Sequence, residues 1–468
     1  MKKFILLLTI PLLCFSQINF TFTTTESASI KNLFIKPVGQ GGNKPVMIID
    51  KDGDIIFSEN LGMKGWDWKV NLNNHITYYD RQANSWHVVD SLFNTVDTVF
   101  AQNGYTADNH DFLALPNGNY VLFCYDNQIF PMDSIVDGGN PNALVEGLVI
   151  QELNSEHEVI FEWKSWDHFN VTDNTYLDLT SSSIQFIHAN AIDIDYDGHF
   201  LISSRNLDEI TKIHRTTGDI IWRWGGSQNE FEFINDYPFT HQHCIKSLGN
   251  NKYLLFDNGN FSSNYTGNPN ISRAVEYELD LELMIATKTW EFIHPDSLFS
   301  PSISSVQRLE NGNTLVNFGN LSLLNRGAVI TEVTPSNEIV FELELDPPSE
   351  ENGSSNIYCA NKFDWFFDQS IVGCNNTNAC NFNINLINNE MYCDFPGDSC
   401  EIFISGELMS GILNENCECV SNNSSIIKIP SDKKLLYQFD LLGKDNPDKL
   451  FQLQIYDDGS VEKKYIIE

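Results

Sequence analysis

The sequence lacks several features that mark common classes of protein. It has no glycine-rich phosphate loop and no carboxylate or histidine set with metal-ligand spacing, so we predict neither a nucleotide nor a metal cofactor. The formal net charge is −35, yet no long acidic run carries it. An evenly acidic surface disfavours nucleic acid or an anionic membrane as a partner. No helical periodicity of useful length is present, which favours an all-β fold.

Long apolar runs are also missing, except at the amino terminus. Residues 1–17 read MKKFILLLTIPLLCFSQ, with two lysines, an apolar core and then the small residue Ser16. This is the pattern of a secretory signal peptide. The run is too short to cross a membrane and no second run of about twenty apolar residues follows, so we predict no transmembrane span.

Cysteine is scarce over most of the chain. Seven of the ten cysteines fall between Cys359 and Cys419. In an exported chain this local density predicts a disulfide-stapled module, whose connectivity the sequence leaves open. The spacings do not fit a CxxC…CxxC zinc pattern. Cys124 and Cys244 lie alone in strand-like segments and are predicted to be small buried hydrophobic residues.

What the chain does have is a degenerate internal repeat. One element is an apolar strand, a turn and a second apolar strand, as in IIDKDGDIIF at Ile48. The element that follows it has an equivalent first position in each copy: Trp66, His110, Asn190, His243 and Ser304, with a weak sixth copy at Ile357. Two such hairpins make a four-stranded sheet, and about six sheets in series predict a six-bladed β-propeller over residues 18–366.

Histidines recur at the repeat positions that converge on the central channel of a propeller. His110 and His243 occupy first positions, and His188, His241 and Ser302 lie two residues before first positions on the same strand face. The structural alternative is that such histidines only form hydrogen bonds with a neighbouring sheet.

Two predicted turns set the register of these hairpins. Asp197–Gly198 and Asn250–Asn251 are residues that tolerate a positive φ and are predicted to close the two hairpins. With the first turn in that place, Asn190 is expected opposite Arg205. Imidazoles and a guanidinium then share one mouth of the channel, a combination that suits a small oxyanion.

Four ordered motifs resemble the bacterial aryl-sulfate sulfotransferase family over about residues 44–345: HDFLALPNGNYVLF, HANAIDIDYDGHFLISSR, HQHCIKSLGNNKYLLFDNG and SPSISSVQRLENGNTLV. The resemblance implies a six-bladed propeller that moves a sulfuryl group from a phenolic sulfate ester to a phenol acceptor. It implies His243 as the transiently sulfurylated nucleophile, with His110, His188 and Arg205 as further catalytic residues and Asn190 as a substrate-binding residue. Where the family usually has an aspartate after the nucleophile, this chain has Cys244.

The carboxyl-terminal part resembles modules of exported proteins. GCNNTNACNFNINL resembles repeats of flavobacterial exported proteins, and we place a cysteine-rich module at residues 367–420. FDLLGK and YDDGSVEKKYIIE are similar to a type IX secretion sorting domain, expected as a small β-sandwich at residues 421–468. These resemblances imply the secretion machinery as a partner. With the signal peptide, they imply a secreted or cell-surface protein exported via the periplasm.

Two other functions remain open at this point. A non-catalytic secreted propeller that binds a glycan or protein partner would need no convergence of His110, His188, Arg205 and His243. An aryl-sulfate hydrolase would differ only in letting water replace the phenol. The chemistry of the residues favours transfer, because an imidazole can attack the sulfuryl centre and later leave, with a guanidinium holding the equatorial oxygens.

Overall fold

The computed structural model describes residues 19–38, 45–265, 269–349, 355–365, 372–374, 376–382, 387–388, 393–404, 407–421, 435–439, 451–456 and 461–465. The predicted signal peptide lies outside these residues. The chain divides into two compact units, one of residues 1–373 with 385–391 and one of residues 374–384 with 392–468. None of the helices in the described ranges is long and apolar enough to cross a membrane.

The first unit is built of β-strands joined by turns. In chain order its main strands are β1 (Phe20–Thr24), β2 (Asn32–Val38), β3 (Val46–Ile49), β4 (Ile55–Glu59), β5 (Trp66–Val70), β6 (Ile76–Asp80), β7 (Ser85–Val89), β8 (Thr95–Val99), β9 (Thr106–Ala114), β10 (Tyr120–Phe130), β11 (Ala143–Leu153), β12 (Val159–Lys164), β13 (Ser183–Gln185), β14 (Ala189–Ile194), β15 (Phe200–Ser204), β16 (Glu209–Ile213), β17 (Ile220–Gly225), β18 (Glu232–Ile234), β19 (His243–Gly249), β20 (Lys252–Asp257), β21 (Arg273–Asp280), β22 (Ile285–Phe292), β23 (Ser305–Arg308), β24 (Thr314–Phe318), β25 (Val329–Val333), β26 (Ile339–Leu345) and β27 (Asn356–Phe363).

The helices described in this unit are short 3-10 turns of three residues: Met132–Ser134, Ser165–Asp167, Val171–Asp173, Arg205–Leu207, Ser263–Tyr265 and Ser322–Leu324. The all-β prediction is therefore confirmed. The two-residue turn at Asn250–Asn251 also has the predicted form, since both residues have a positive φ, 52° and 59°.

These strands form six antiparallel sheets, with orders β27-β2-β3-β4, β5-β6-β7-β8, β9-β10-β11-β12, β14-β15-β16-β17, β19-β20-β21-β22 and β23-β24-β25-β26. β13 and β18 add a parallel strand to the third and fifth sheets, and β1 adds an antiparallel strand to the sixth. The first strands contact one another in a closed cycle, β5 to β9, β14, β19, β23, β27 and back to β5.

The segment at Ile357 differs from its prediction as a weak sixth copy of the hairpin. It contributes the single strand β27, which pairs with β2 along Asn32–Val38 and completes the sheet begun near the amino terminus. β2 therefore takes the place of the second strand of this hairpin, and β3 and β4 complete the four-stranded sheet. Strands far apart in sequence close the cycle, and such pairing has no local signal.

The hydrophobic core lies between neighbouring sheets. Trp222 and Trp224 of β17, for example, are buried against Tyr253 of β20, and Trp224 also packs against Tyr277 of β21. The aromatic ends of the outer strands therefore pack one sheet on the next, as the repeat predicts. This packing leaves the first strand of each sheet to position the polar residues described below.

In the carboxyl-terminal part, β28 (Val372–Gly373) pairs with β29 (Ile387–Asn388). A three-stranded sheet follows from β30 (Ser399–Ile404), β31 (Glu407–Leu413) and β32 (Cys419–Ser421), and a second from β33 (Leu435–Phe439), β34 (Phe451–Tyr456) and β35 (Val461–Tyr465). Disulfides join Cys374 to Cys393, Cys380 to Cys417 and Cys400 to Cys419. Most of residues 421–468, where we predict the sorting domain, lie outside the described residues.

Candidate active site

Four of the first strands break their ladder near the candidate site. β5 has an extra residue between Trp66 and Lys69, and β19 has one between His243 and Lys246. β9 departs from its partner around His110, and β14 departs from its partner at Asn190. Such β-bulges bend a strand and re-aim its side chains, and they are common next to active sites.

The bulge at Asn190 corrects the predicted register. Ala189 pairs with Ser204 and Ala191 with Ser203, so Asn190 is the unpaired residue rather than the partner of Arg205. Arg205 lies just beyond the ladder and begins a 3-10 turn, and its backbone N–H donates to the carbonyl of His188 at 3.0 Å. The prediction was wrong by one position already at the turn, because Asp195 bonds with His199 around the three residues Tyr196–Gly198 rather than around Asp197–Gly198 alone, and the bulge then shifts the pairing once more.

His110 is fixed by a carboxylate. Its Nδ1 lies 2.8 and 2.9 Å from the two oxygens of Asp108, and its backbone N–H donates to the same carboxylate at 2.7 Å. A carboxylate only accepts, so Nδ1 carries the hydrogen. Burial by itself lowers the pKa of His110, but the Asp108 charge outweighs burial and raises that pKa above its ordinary value.

His188 is held by an amide instead. Its Nδ1 lies 2.8 Å from Oε1 of Gln185, whose Nε2 donates to the carboxylate of Glu146. The amide orientation that suits Glu146 makes Oε1 an acceptor, so Nδ1 of His188 carries the hydrogen and Nε2 has the lone pair. Burial, followed by the charges of His110 and Arg205, lowers the pKa of His188 well below its ordinary value, and this imidazole is neutral at pH 7.

His243 is held in the same way by Asn258. The Nδ2 of Asn258 donates to the carbonyls of Ser300 and Ile303, at 2.7 and 3.2 Å, so its Oδ1 accepts from Nδ1 of His243 at 2.7 Å. This leaves the lone pair of His243 on Nε2. Burial and the charge of Arg205 lower the pKa of His243 to about 3, so the imidazole is unprotonated at neutral pH.

Arg205 supplies a positive charge without a counter-ion. Its Nη1 donates to Oδ1 of Asn206 and its Nη2 to the carbonyl of Pro301, both at 3.1 Å. In the part of the chain that the structure describes, it forms no ion pair with a carboxylate. Burial lowers its pKa to about 10, so the group remains a cation at neutral pH. A buried cation of this kind is stabilised by an anionic ligand.

Several of these side chains line one open cavity. His110, Asn190 and His243 line the cavity, and the rings of His110 and His188 are 4.7 Å apart. Nδ2 of Asn190 donates one hydrogen to the carbonyl of Gln242 at 2.7 Å, which leaves its second hydrogen for a ligand. No group of three or more His, Cys, Asp or Glu residues within the described ranges is placed to hold a metal ion.

Comparison with known proteins identifies the family of this chain. The family profile described as Arylsulfotransferase (ASST) matches residues 25–358. The chain belongs to the arylsulfotransferase family. That membership supports an enzyme with aryl sulfotransferase activity, with small molecules as substrates. No curated protein matches the chain.

Three solved structures share a lower level of similarity with this arylsulfotransferase. A protein of unknown function from Bacteroides caccae is 14% identical with a TM-score of 0.45, over 71% of this chain and 98% of that one. Virginiamycin B lyase from Staphylococcus aureus is 11% identical with a TM-score of 0.34, over 70% and 99%. Periplasmic gluconolactonase of Pseudomonas aeruginosa is 9% identical with a TM-score of 0.38, over 72% and 100%. With TM-scores below 0.5, none of them bears on the activity.

Cys244, where arylsulfotransferases usually have an aspartate, does not orient the adjacent histidine. Its Sγ donates to the carbonyl of Val306 and accepts from the N–H of Val306, both at 3.4 Å. Asn258, fifteen residues after His243, holds the imidazole instead. The sequence placed the three histidines but gave no signal for their partners Asp108, Gln185 and Asn258.

Exchanging these two residues should separate their roles. We expect Asn258→Ala to lower kcat for an aryl sulfate about tenfold to a hundredfold, because Nδ1 of His243 loses its acceptor and the ring loses its orientation. Cys244→Ser should change kcat less than about threefold, because a hydroxyl can keep both contacts with Val306. Initial rates with thermal melts would check this. A Cys244→Ser variant that melts normally but has lost most of its turnover would contradict it.

A layer of buried charge lines the same cavity. Nζ of Lys69 lies 2.6 Å from a carboxylate oxygen of Asp67 and 2.5 Å from one of Asp111. Lys246 also lines the cavity and forms no ion pair with any described residue. The attraction of Asp193 and Asp111 outweighs burial and raises the pKa of Lys246, so its ammonium stays charged. Lys69, Asp67, Asp111 and Lys246 were not among the predicted site residues, although every one of them lies on a first strand.

Proposed function

We propose that this enzyme transfers a sulfuryl group from an aryl sulfate ester to a phenol through a sulfohistidine at His243. The observation that carries the proposal is the arrangement around Arg205. The Arg205 guanidinium, which forms no ion pair with any described residue, is close enough to His188 and His243 to lower the pKa of both, in a chain whose net charge is −35. Although the chain is rich in carboxylates, no described carboxylate pairs with Arg205, and a buried cation without a partner is suited to bind an anionic substrate.

In the first half-reaction, the lone pair on Nε2 of His243 forms a bond to sulfur while the bond from sulfur to the aryl oxygen breaks. The bonding electrons leave with the phenolate oxygen, which takes a proton from His110. Arg205 and the free amide hydrogen of Asn190 bind the equatorial oxygens, on which negative charge lies in a loose transition state. The phenol then leaves and the sulfuryl group remains on His243.

The second half-reaction reverses these steps with the acceptor phenol. The acceptor oxygen forms a bond to sulfur as the bond to Nε2 of His243 breaks, and the phenolic proton passes to His110. His188 is neutral with its lone pair on Nε2, so it can accept a hydrogen bond that orients the phenol hydroxyl. Every atom and proton is accounted for without a further cofactor.

The opposite pKa shifts support this division of roles. A general acid needs a proton at the working pH and a nucleophile must lack one. The Asp108 carboxylate raises the pKa of His110, whereas burial and Arg205 lower the pKa of His243 to about 3. His110 has a carboxylate partner, whereas His243 has an amide partner and the charge of Arg205 nearby, and these neighbours separate an acid from a nucleophile.

Replacing Asp108 by asparagine should move the alkaline limb of the pH profile. His110 is protonated below its raised pKa, so release of phenol falls as the pH rises through that value. In Asp108→Asn the charge that raises the pKa of His110 is gone, and we expect the fall to occur at a lower pH than in the wild type. Single-turnover release from phenyl sulfate would measure this.

The leaving group provides a control for that experiment. 4-Nitrophenolate needs little protonation, so release from 4-nitrophenyl sulfate should be less affected by Asp108→Asn than release from phenyl sulfate. An equal loss with both donors and an unmoved limb would show that Asp108 serves the fold and not the proton donor.

The same proposal includes the architecture and the route of export. We take the six sheets with their closed cycle of first strands to be the blades of one six-bladed propeller, with the cavity in its channel. Residues 1–17 are proposed as a signal peptide and residues 421–468 as a type IX secretion sorting domain. These assignments rest on the sequence pattern and imply a secreted or cell-surface enzyme.

Turnover of 4-nitrophenyl sulfate by the full chain, with and without added phenol, tests the proposal. A transferase should release 4-nitrophenol faster with phenol present and should form phenyl sulfate in equal amount. Release at the same rate without phenol, with inorganic sulfate as the product, would instead identify a hydrolase. No release under either condition would contradict the proposed activity.

A further inference from the structure

Two aromatic side chains lie exposed side by side near the candidate site. Tyr176 is 39% exposed and Phe261 is 70% exposed, and their ring planes are 24° apart with centroids at 5.7 Å. We call this pair the aromatic shelf. Phe261 also has a φ of 56°, which is unusual for a bulky residue. An exposed ring held in a strained backbone conformation has no explanation in packing and points to a function.

A fourth histidine packs against both rings. His241 is only 4% exposed, and its ring meets those of Tyr176 and Phe261 edge to face at 5.0 and 5.3 Å. Asp208 accepts from Nδ1 of His241 at 2.9 Å and from its backbone N–H at 2.6 Å, and its other oxygen accepts from the hydroxyl of Tyr176. One carboxylate therefore fixes both the imidazole and one ring of the shelf.

The tautomer of His241 follows from this partner. Because a carboxylate only accepts, Nδ1 carries the hydrogen and Nε2 carries a lone pair. No hydrogen bond from any residue that the structure describes reaches this Nε2. This lone pair can therefore accept a hydrogen from a ligand that lies on the two rings.

The shelf lies beside the reacting residues. Asn260, next to Phe261, donates through Nδ2 to the carbonyl of Pro301 at 3.0 Å, and Nη2 of Arg205 donates to the same carbonyl at 3.1 Å. His241 is two residues before His243, and it is close enough to His188 to contribute to lowering the pKa of His188. A ring on the shelf would thus be held next to the sulfuryl-binding groups.

We propose that the aromatic shelf binds the aryl ring of the acceptor and that Nε2 of His241 accepts a hydrogen bond from a second hydroxyl group on that ring. The preferred acceptors are then dihydroxylated aromatic compounds. This inference rests on the proposed sulfuryl transfer for the identity of its ligand as an acceptor. It names the substrate class, because a site built to bond a hydroxyl rejects an analogue that lacks it.

Binding and turnover test the two proposals separately. Calorimetric titration of the full-length protein with phenol, catechol, resorcinol and hydroquinone, without a sulfate donor, measures the affinity of the aromatic shelf and His241 for each ring. At least one dihydroxybenzene should bind about tenfold or more tighter than phenol, and the same compound should have the higher kcat/KM as acceptor. The rate of 4-nitrophenol release from 4-nitrophenyl sulfate measures the transfer reaction. If the protein prefers a dihydroxybenzene in binding but releases no 4-nitrophenol, the proposed aromatic subsite is supported and the proposed sulfuryl transfer is contradicted.

Variants assign the preference to these residues. His241→Phe keeps an aromatic ring but offers no acceptor, so binding of the preferred dihydroxybenzene should fall to the level of phenol. Phe261→Ala removes an exposed ring without disturbing the core and should weaken every aromatic ligand about threefold or more. Leu323→Ala, an equally exposed apolar residue elsewhere, is the matched control and should bind as the wild type does.

Three outcomes would overturn the inference. The first is equal binding of phenol and all three dihydroxybenzenes by the wild type. The second is a His241→Phe variant that keeps the preference. The third is a Phe261→Ala variant that binds like Leu323→Ala, and this result decides the matter even where His241→Phe fails to melt cooperatively.

Discussion

Replacing Arg205 by methionine should lower kcat/KM for an aryl sulfate donor about 10²- to 10³-fold. The guanidinium forms no ion pair within the described residues, so its charge is available to the sulfuryl oxygens, and a group that meets developing charge in a dry site contributes on this scale. Arg205→Lys should have a kcat/KM between those of the wild type and of Arg205→Met, because an ammonium keeps the charge but loses the planar pair of donors. Steady-state rates of 4-nitrophenol release would measure both variants.

The matched control is an arginine whose charge is already neutralised. Arg326 forms ion pairs with Glu344 and Asp296 on a partly exposed surface, so Arg326→Met should leave kcat/KM within about twofold. If Arg205→Met retained a third or more of the wild-type value, the guanidinium would not stabilise the transition state.

Replacing His243 by asparagine should remove turnover almost completely, by about 10³-fold or more, while the fold remains. In the proposed mechanism His243 forms the covalent bond to sulfur, and no other histidine of the site occupies the position from which it could replace His243. Asparagine can still bond with Asn258 and so preserves the local packing. Melting curves and donor-dependent release would be measured together.

His157→Asn is the control for that variant. His157 lies at a turn with a φ of 62° and bonds with Asp97, far in sequence from the site, and asparagine tolerates this conformation. It should keep full turnover. A His243→Asn variant that releases phenol at a tenth or more of the wild-type rate would contradict the nucleophile assignment.

Much of the fold follows from local sequence, and the reasons are visible at particular residues. Asn250–Asn251 forms the predicted turn because both residues accept a positive φ. Alternating apolar strands that end in residues such as Trp222 and Trp224 predicted sheets packed face to face. Strand β27 was misjudged because its partner β2 is some three hundred residues away, and no local pattern encodes that pairing.

The site was predicted in its residue types and missed in its detail. His110, His188, Asn190 and His243 were identified from the repeat positions, and Arg205 from the predicted hairpin and the family resemblance. His110, Asn190 and His243 line the cavity, and the ring of His188 lies 4.7 Å from that of His110. The pairing of Asn190 was missed because the hairpin has a three-residue turn in place of the predicted two-residue turn, and because a bulge then shifts the register again. The partner Asn258 was missed because a hydrogen bond between separate strands depends on tertiary geometry.

Strained residues lie in the bulge of β19 and just before β14 and β19. His188, His241 and Cys244 have φ values of 50°, 54° and 59°, a region that non-glycine residues rarely adopt. Backbone strain of this kind costs about 1–3 kcal/mol for each residue and persists where the surrounding structure fixes it. Here it aims imidazoles from different strands into one space.

Mapping a sulfuryl group on the protein tests the central claim most directly. The full chain would be incubated with 4-nitrophenyl sulfate and no acceptor, then digested and analysed by mass spectrometry at neutral pH, where a sulfohistidine survives. We predict one sulfuryl group on His243, none in His243→Asn, and its loss when phenol is added, with parallel double-reciprocal plots for donor and acceptor. An active wild type with no adduct on His243 and with intersecting plots would contradict transfer through this histidine.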